Sequence, residues 1–223
     1  MKRSVIFDLD GTLCDTSGDL LVAANAAFET IGIAVRLDPA APEDQATALR
    51  GGKAMLRLGL SRLGAVDEAL VDRGYRPLLD AYDAAICVHT TFYPGAIEAL
   101  ERLRTAGDII GICTNKPEAL ARKLMAELGA SDMFDALVGA DSLAVRKPDP
   151  MHLRETVARA GGEMMRACLI GDSETDRLTA TAAKVPCVLV TFAPGGPDVA
   201  DLRPDALLHH FDELEAALAV VGL

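Results

Sequence analysis

Short apolar runs recur along the chain, and most are followed by a stretch in which apolar residues return every three or four positions. Val5 to Phe7, Ile109 to Cys113, Ala136 to Val138, Cys168 to Ile170, Cys187 to Val190 and Ala206 to Leu208 are unbroken, which is how strands buried on both faces read. Between them the period lengthens. Leu120, Leu124 and Leu128 repeat at helical spacing and stop at Gly129, and Ile97, Leu100, Leu103 and Ala106 stop at Gly107. Glycine there is a helix C-terminal signal. Strand and helix in alternation predict an α/β protein with a parallel sheet covered by helices on both faces.

The alternation breaks once. About a hundred residues separate the first run from the second, where a crossover needs about a dozen. Leu21, Ala24, Phe28 and Ile31 form one helical face within that interval, Met55, Leu56, Leu60 and Leu63 a second, and Leu70, Leu78 and Tyr82 a third. The pattern predicts a core domain made of residues 1–14 and 92–223, carrying a helical insert over 15–91. Residues 193–197, Ala-Pro-Gly-Gly-Pro, read as a loop.

Composition narrows the class. At about 150 residues per domain, 223 residues suit one domain with an appendage, and 50% apolar with 25% charged residues is ordinary globular usage. The net charge of -11 argues against nucleic acid or an anionic membrane as partner, since both require a clustered basic field. It also sits awkwardly with a phosphorylated substrate. The start, Met1-Lys2-Arg3, is basic, but only Val5-Ile6-Phe7 follows before Asp8, too short for a signal-peptide hydrophobic region, so the reading is cytoplasmic. Five cysteines without a CxxC pair read as buried, inert thiols, and the four histidines lack metal-ligand spacing.

Polar residues cluster where the runs end. The first is followed by Asp8-Leu9-Asp10-Gly11-Thr12, the second by Thr114-Asn115-Lys116, and the fourth by Gly171-Asp172-Ser173-Glu174-Thr175-Asp176. Arg146-Lys147-Pro148-Asp149-Pro150 follows the third. In an open parallel sheet the carboxyl ends of adjacent strands open into one crevice, so these clusters converge. Crowded carboxylates need compensation, and Asp8, Asp10 and Asp172 offer the hard oxygens that Mg²⁺ accepts. With Mg²⁺ and Lys147 neutralising the site, Asp8 is the candidate nucleophile on phosphorus and Asp10 the candidate acid and base. Thr114, Asn115 and Lys147 are candidates for the phosphoryl oxygens. Lys116 reads equally as a second site cation or a solvated lysine. Ser173 reads as a helix N-cap or a residue that orients a metal ligand, and Glu174 as a complement to the helix dipole.

In their order, the DLDGT, TN, KPDP and GDxxxD segments resemble the four motifs of the haloacid dehalogenase-like hydrolase superfamily. Flanking stretches are similar to the bacterial phosphoglycolate phosphatases within it: Asp15-Thr16, Gly18-Asp19-Leu20, Asn25-Ala26-Ala27, Tyr93-Pro94-Gly95, Lys116-Pro117 and residues 139–143. The resemblance implies a Rossmannoid three-layer core, a helical cap inserted after the first motif, Mg²⁺ dependence and hydrolysis of a small phosphate monoester, 2-phosphoglycolate foremost. It implies Asp8, the Asp10 carbonyl and Asp172 as metal ligands, and Asp176 as support for the metal shell or Lys147. Arg50 and Lys53, in the loop where relatives read the leaving group, are candidate substrate contacts. A pyrophosphatase, a sugar-phosphate phosphatase and a phosphomutase share this chemistry. A phospho-acceptor signalling module shares the acids and the lysine, although its acceptor aspartate does not open the chain. The partner implied is a small phosphorylated metabolite, for a monomer or homodimer.

Overall fold

The computed structural model describes residues 2–194 and 196–223; Met1, and Gly195 in the expected 193–197 loop, lie outside them. The chain runs β1 (Ser4–Phe7), β2 (Cys14–Asp15), α1 (Ser17–Thr30), α2 (Pro42–Ala48), α3 (Gly52–Ser61), α4 (Glu68–Ala84) and β3 (Thr91–Phe92). It continues through α5 (Ala96–Ala106), β4 (Ile109–Cys113), α6 (Glu118–Glu127), β5 (Ala136–Val138), α7 (Pro150–Arg159), β6 (Ala167–Gly171) and α8 (Glu174–Ala183). β7 (Cys187–Val190), β8 (Ala206–Leu208) and α9 (Leu214–Val220) complete it. Two compact units result, Met1–Cys14 with Phe92–Leu223, and Asp15–Thr91. Among the described residues, no helix is long and apolar enough to cross a membrane.

The first unit holds a six-stranded sheet in the order β5-β4-β1-β6-β7-β8, and every pairing in it is parallel. All six apolar runs are strands of this sheet. β1, β6 and β7 are buried throughout, so their sequences are continuous rather than alternating. The chain moves outward from β4 to β5 and then returns across β1 to β6. Right-handed crossovers in opposite directions place α6 and α7 on opposite faces of the sheet. One core layer gathers Ile6, Leu153, Val157, Leu169, Ala180 and Leu189 under α7 and α8. Gly107, at φ +79°, ends α5 as its left-handed cap. Gly196 opens a short 3-10 turn to Leu202, so part of the expected loop is ordered secondary structure.

The second unit is helical. Leu21, Ala24 and Phe28 of α1, Met55, Leu56 and Leu60 of α3, and Val71, Leu78 and Tyr82 of α4 are buried in it. The expected faces shift in detail: Leu63 lies beyond α3 and is 56% exposed, and Val71 takes the buried place that Leu70 was expected to fill. Gly59 lets α1 and α3 touch, because a Cβ there would stand 2.3 Å from the Phe28 ring. The buried Asp19 carboxylate accepts from the N–H groups of Val88, His89 and Thr90 at 2.9–3.1 Å, which fixes the end of the unit.

Candidate active site

β1 stops at Phe7, whose register partners are Ile112 on one side and Ile170 on the other. The central strand therefore delivers Asp8 between the ends of β4 and β6, at the point where strand order reverses. The Asp8 N–H still donates to the Ile170 carbonyl at 2.8 Å, which anchors its backbone to the sheet. Beyond it the chain turns sharply: the Leu9 carbonyl accepts from the N–H groups of Leu13 and Cys14 at 3.0 and 3.1 Å. Gly11, at φ +82°, has the conformation such a turn requires.

Lys147 joins two of the predicted clusters. Its ammonium is 2.9 Å from Asp8 Oδ1 and 2.7 Å from Asp176 Oδ1. Asp176 is fully buried at the start of α8, where its Oδ2 accepts from the Ser173 hydroxyl at 2.6 Å and the Ser173 N–H at 3.2 Å. Ser173 in turn caps α8. The carboxylate thus serves the helix end and the lysine at once. Gly171 makes room for it, since a Cβ there would lie 2.3 Å from Asp176 Cγ. Glu174 occupies the first turn of α8. Thr12 donates to Asp172 Oδ1 at 3.0 Å and so orients an acid three strand-ends away in sequence, a contact that no spacing in the sequence signals.

From β4 come Thr114, Asn115 and Lys116. Thr114 is buried, its N–H held by the Val138 carbonyl at 3.0 Å and its Oγ1 accepting from the Lys116 N–H at 3.1 Å. Asn115 donates one amide hydrogen to the Lys147 carbonyl at 3.1 Å, bracing the segment that carries the lysine. Lys116 is not solvated: its side chain is 3% exposed and its ammonium lies 2.8 Å from Asp10 Oδ1. The solvated reading failed because the TN segment alone does not reveal that the lysine turns back over β1. Beneath Thr114, the buried His152 ring donates from Nε2 to the Gly139 carbonyl at 2.9 Å, leaving Nδ1 to accept from the Cys113 thiol at 3.2 Å. Burial lowers the His152 pKa and pushes the Cys113 thiol up to about 12, so the pair is neutral packing.

Electrostatics make the site unsettled as it stands. Burial pushes the Asp8 carboxyl up to about 6, against the pull of Lys147 and with repulsion from Asp176. Burial, then the charges of Asp176 and Asp8, hold Asp172 well above the ordinary carboxylate range. Burial also works to lower Lys147, but Asp176 and Asp8 more than reverse it, so the lysine remains an ammonium. Four carboxylates, of Asp8, Asp10, Asp172 and Asp176, face the two ammoniums of Lys116 and Lys147. Oxygens of Asp8, Asp172 and Asp176 lie within 4.8 Å of one another. A surplus of hard, negative donors this close fits a divalent cation. The Asp10 carboxylate is engaged by Lys116, and its expected part in metal binding is that of the backbone carbonyl.

Arg50 and Lys53 belong to the second unit and are exposed. Within it Lys53 pairs with Asp72 at 2.6 Å and lies over the Tyr75 ring, 5.4 Å from its centre.

The family model for haloacid dehalogenase-like hydrolase matches residues 2–184. A phosphoglycolate phosphatase of Mesorhizobium japonicum is 41% identical over 228 residues, covering 98% of this chain and 96% of its own length. One of Agrobacterium fabrum is 36% identical over 215 residues, covering 96% and 91% respectively. Among solved structures, a haloacid dehalogenase-like family hydrolase from Streptococcus pneumoniae superposes with a TM-score of 0.80 over 96% of this chain and 97% of its own, at 21% identity. That likeness is one of fold.

Proposed function

The chain belongs to the haloacid dehalogenase-like hydrolases, and on that premise we propose that it is a Mg²⁺-dependent cytoplasmic phosphatase acting on a small phosphate monoester, 2-phosphoglycolate foremost. The observation that carries the reading is Asp8 at the end of the central strand, gripped by a buried lysine, with Asp10 two residues on. Relatives of nearly equal length named phosphoglycolate phosphatase support the substrate.

Asp8 and Asp172, with the Asp10 carbonyl, would hold the Mg²⁺, and Asp176 would support them. The ion, when bound, supplies positive charge that offsets the acids and admits a phosphate. Asp8 Oδ then forms a bond to phosphorus as the bond from phosphorus to the glycolate oxygen breaks. Asp10 gives its proton to that oxygen. In the second half Asp10 takes a proton from water, the water oxygen bonds to phosphorus, and the bond from phosphorus to Asp8 breaks, releasing inorganic phosphate and restoring both carboxyl groups. Thr114, Asn115 and Lys147 steady the phosphoryl oxygens as charge moves onto them. Arg50 and Lys53 are retained as candidate contacts to substrate from Asp15–Thr91, the proposed cap.

A phosphate-release screen tests the reading. 2-Phosphoglycolate is expected to exceed pyrophosphate and common sugar phosphates in kcat/KM, with activity lost to a chelator and restored by Mg²⁺. Preference for pyrophosphate or a sugar phosphate would replace the substrate; a single phosphorylation without turnover would replace the phosphatase by a phospho-acceptor.

A further inference from the structure

Lys116 has no part in the chemistry just set out, yet it is built into the site. A buried lysine is costly unless it is paired. Here the side chain is 3% exposed and meets Asp10 at 2.8 Å. Its backbone is pinned on both sides, by the bond from its N–H to Thr114 Oγ1 at 3.1 Å and by the Ala140 N–H bonded to its carbonyl at 2.9 Å. The ammonium is therefore placed by the fold.

Thr114 faces the phosphoryl group in the proposed mechanism and Asp10 the leaving oxygen. A cation that springs from the turn after Thr114 and touches Asp10 stands on the leaving-group side of the phosphorus. In 2-phosphoglycolate the carboxylate carbon is separated from the leaving oxygen by one methylene, so a group able to touch the acid at that oxygen can also reach the carboxylate. Lys116 already holds a carboxylate, that of Asp10. We propose that Lys116 is the specificity-determining residue for an anionic leaving group: the substrate carboxylate takes the place of the Asp10 carboxylate on the ammonium, and Asp10, displaced, takes up a proton from water and turns to the leaving oxygen. Recognition of the carboxylate and deployment of the acid are then one event. A monoester without a carboxylate has nothing to exchange, and Asp10 stays on the lysine. The inference rests on the phosphoglycolate reading above.

The test compares kcat/KM for 2-phosphoglycolate and for ethyl phosphate, which lacks the carboxylate, in Mg²⁺ with wild type, Lys116→Met and Lys116→Arg, each checked for an intact unfolding transition. The ratio of the two constants is expected to favour 2-phosphoglycolate in the wild type and to fall by about 10–100-fold in Lys116→Met, the scale of one charge-assisted hydrogen bond, chiefly through KM for 2-phosphoglycolate. Lys116→Arg is expected to recover part of the ratio. A ratio unchanged in Lys116→Met, both substrates losing together, overturns the inference alone and leaves Lys116 a brace for Asp10. So does a Lys116→Arg protein whose ratio is as low as that of Lys116→Met. A wild type indifferent between the substrates overturns the substrate reading, and this inference with it.

Discussion

Lys147 stands 2.9 Å from Asp8 and 2.7 Å from Asp176, and its removal strands two carboxylates at the end of the sheet. Lys147→Met is expected to lower kcat/KM for phosphate release by about 10²-fold or more and to lower the unfolding free energy by about 3 kcal/mol in denaturant titration. Asp44 in the second unit offers a contrast. It is fully buried, and the Arg62 guanidinium beside it holds its carboxyl below the ordinary range. A depressed folded value means that the pair stabilises fully above the unfolded carboxylate value near 3.9 and ceases to do so as pH falls through the lower, folded one. Thermal unfolding of Asp44→Asn should therefore show a deficit against wild type at pH 7 that shrinks as pH falls below about 4. A deficit constant over that range would remove the ionic contribution. Cysteine accessibility gives a third residue-scale check. Cys14, Cys113, Cys168 and Cys187 are buried and Cys87 alone is partly exposed. A thiol reagent at pH 8 should titrate one group in the native protein and five in denaturant.

At the scale of elements, the joint between β6 and α8 is the tightest fit in the site. Gly171→Ala would drive a methyl group into the Asp176 carboxyl. The expected outcome is a loss of about 1–3 kcal/mol in stability together with a fall in turnover, because Lys147 loses its anchor; wild-type kinetics in that variant would contradict the role given to Asp176. The strands were legible in the sequence because a parallel sheet hides both faces, so Ile109 to Cys113 and Cys187 to Val190 carry no polar interruption. The helices that end at Gly107 and Gly129 were legible through their C-terminal signals. α2 was not: Pro42–Ala48 buries only Asp44 and Ala48, which leaves no apolar repeat to see. The Lys116–Asp10 pair was invisible for another reason. Its partners are 106 positions apart, and only the β1–β4 register brings them together. The strand-end clusters could be read from sequence, whereas the contacts inside the cluster, including Thr12 on Asp172, depend on side-chain direction.

For the whole molecule, a net charge of -11 says little about the ligand, because the charge that matters is the local surplus of carboxylates over ammoniums at the end of the sheet. A divalent ion bound there stabilises the folded state by mass action, by about 2.7 kcal/mol at a hundred times its Kd. Mg²⁺ should therefore raise the unfolding midpoint of the wild type and not that of Asp172→Asn. An equal rise in both would place the ion elsewhere. The most direct test is the steady-state rate of inorganic phosphate release from 2-phosphoglycolate in Mg²⁺, measured for wild type and Asp8→Asn side by side with both proteins shown to be folded. The account predicts repeated turnover by the wild type and a loss of about 10³-fold or more in Asp8→Asn. Turnover by Asp8→Asn at a rate comparable with wild type would contradict it.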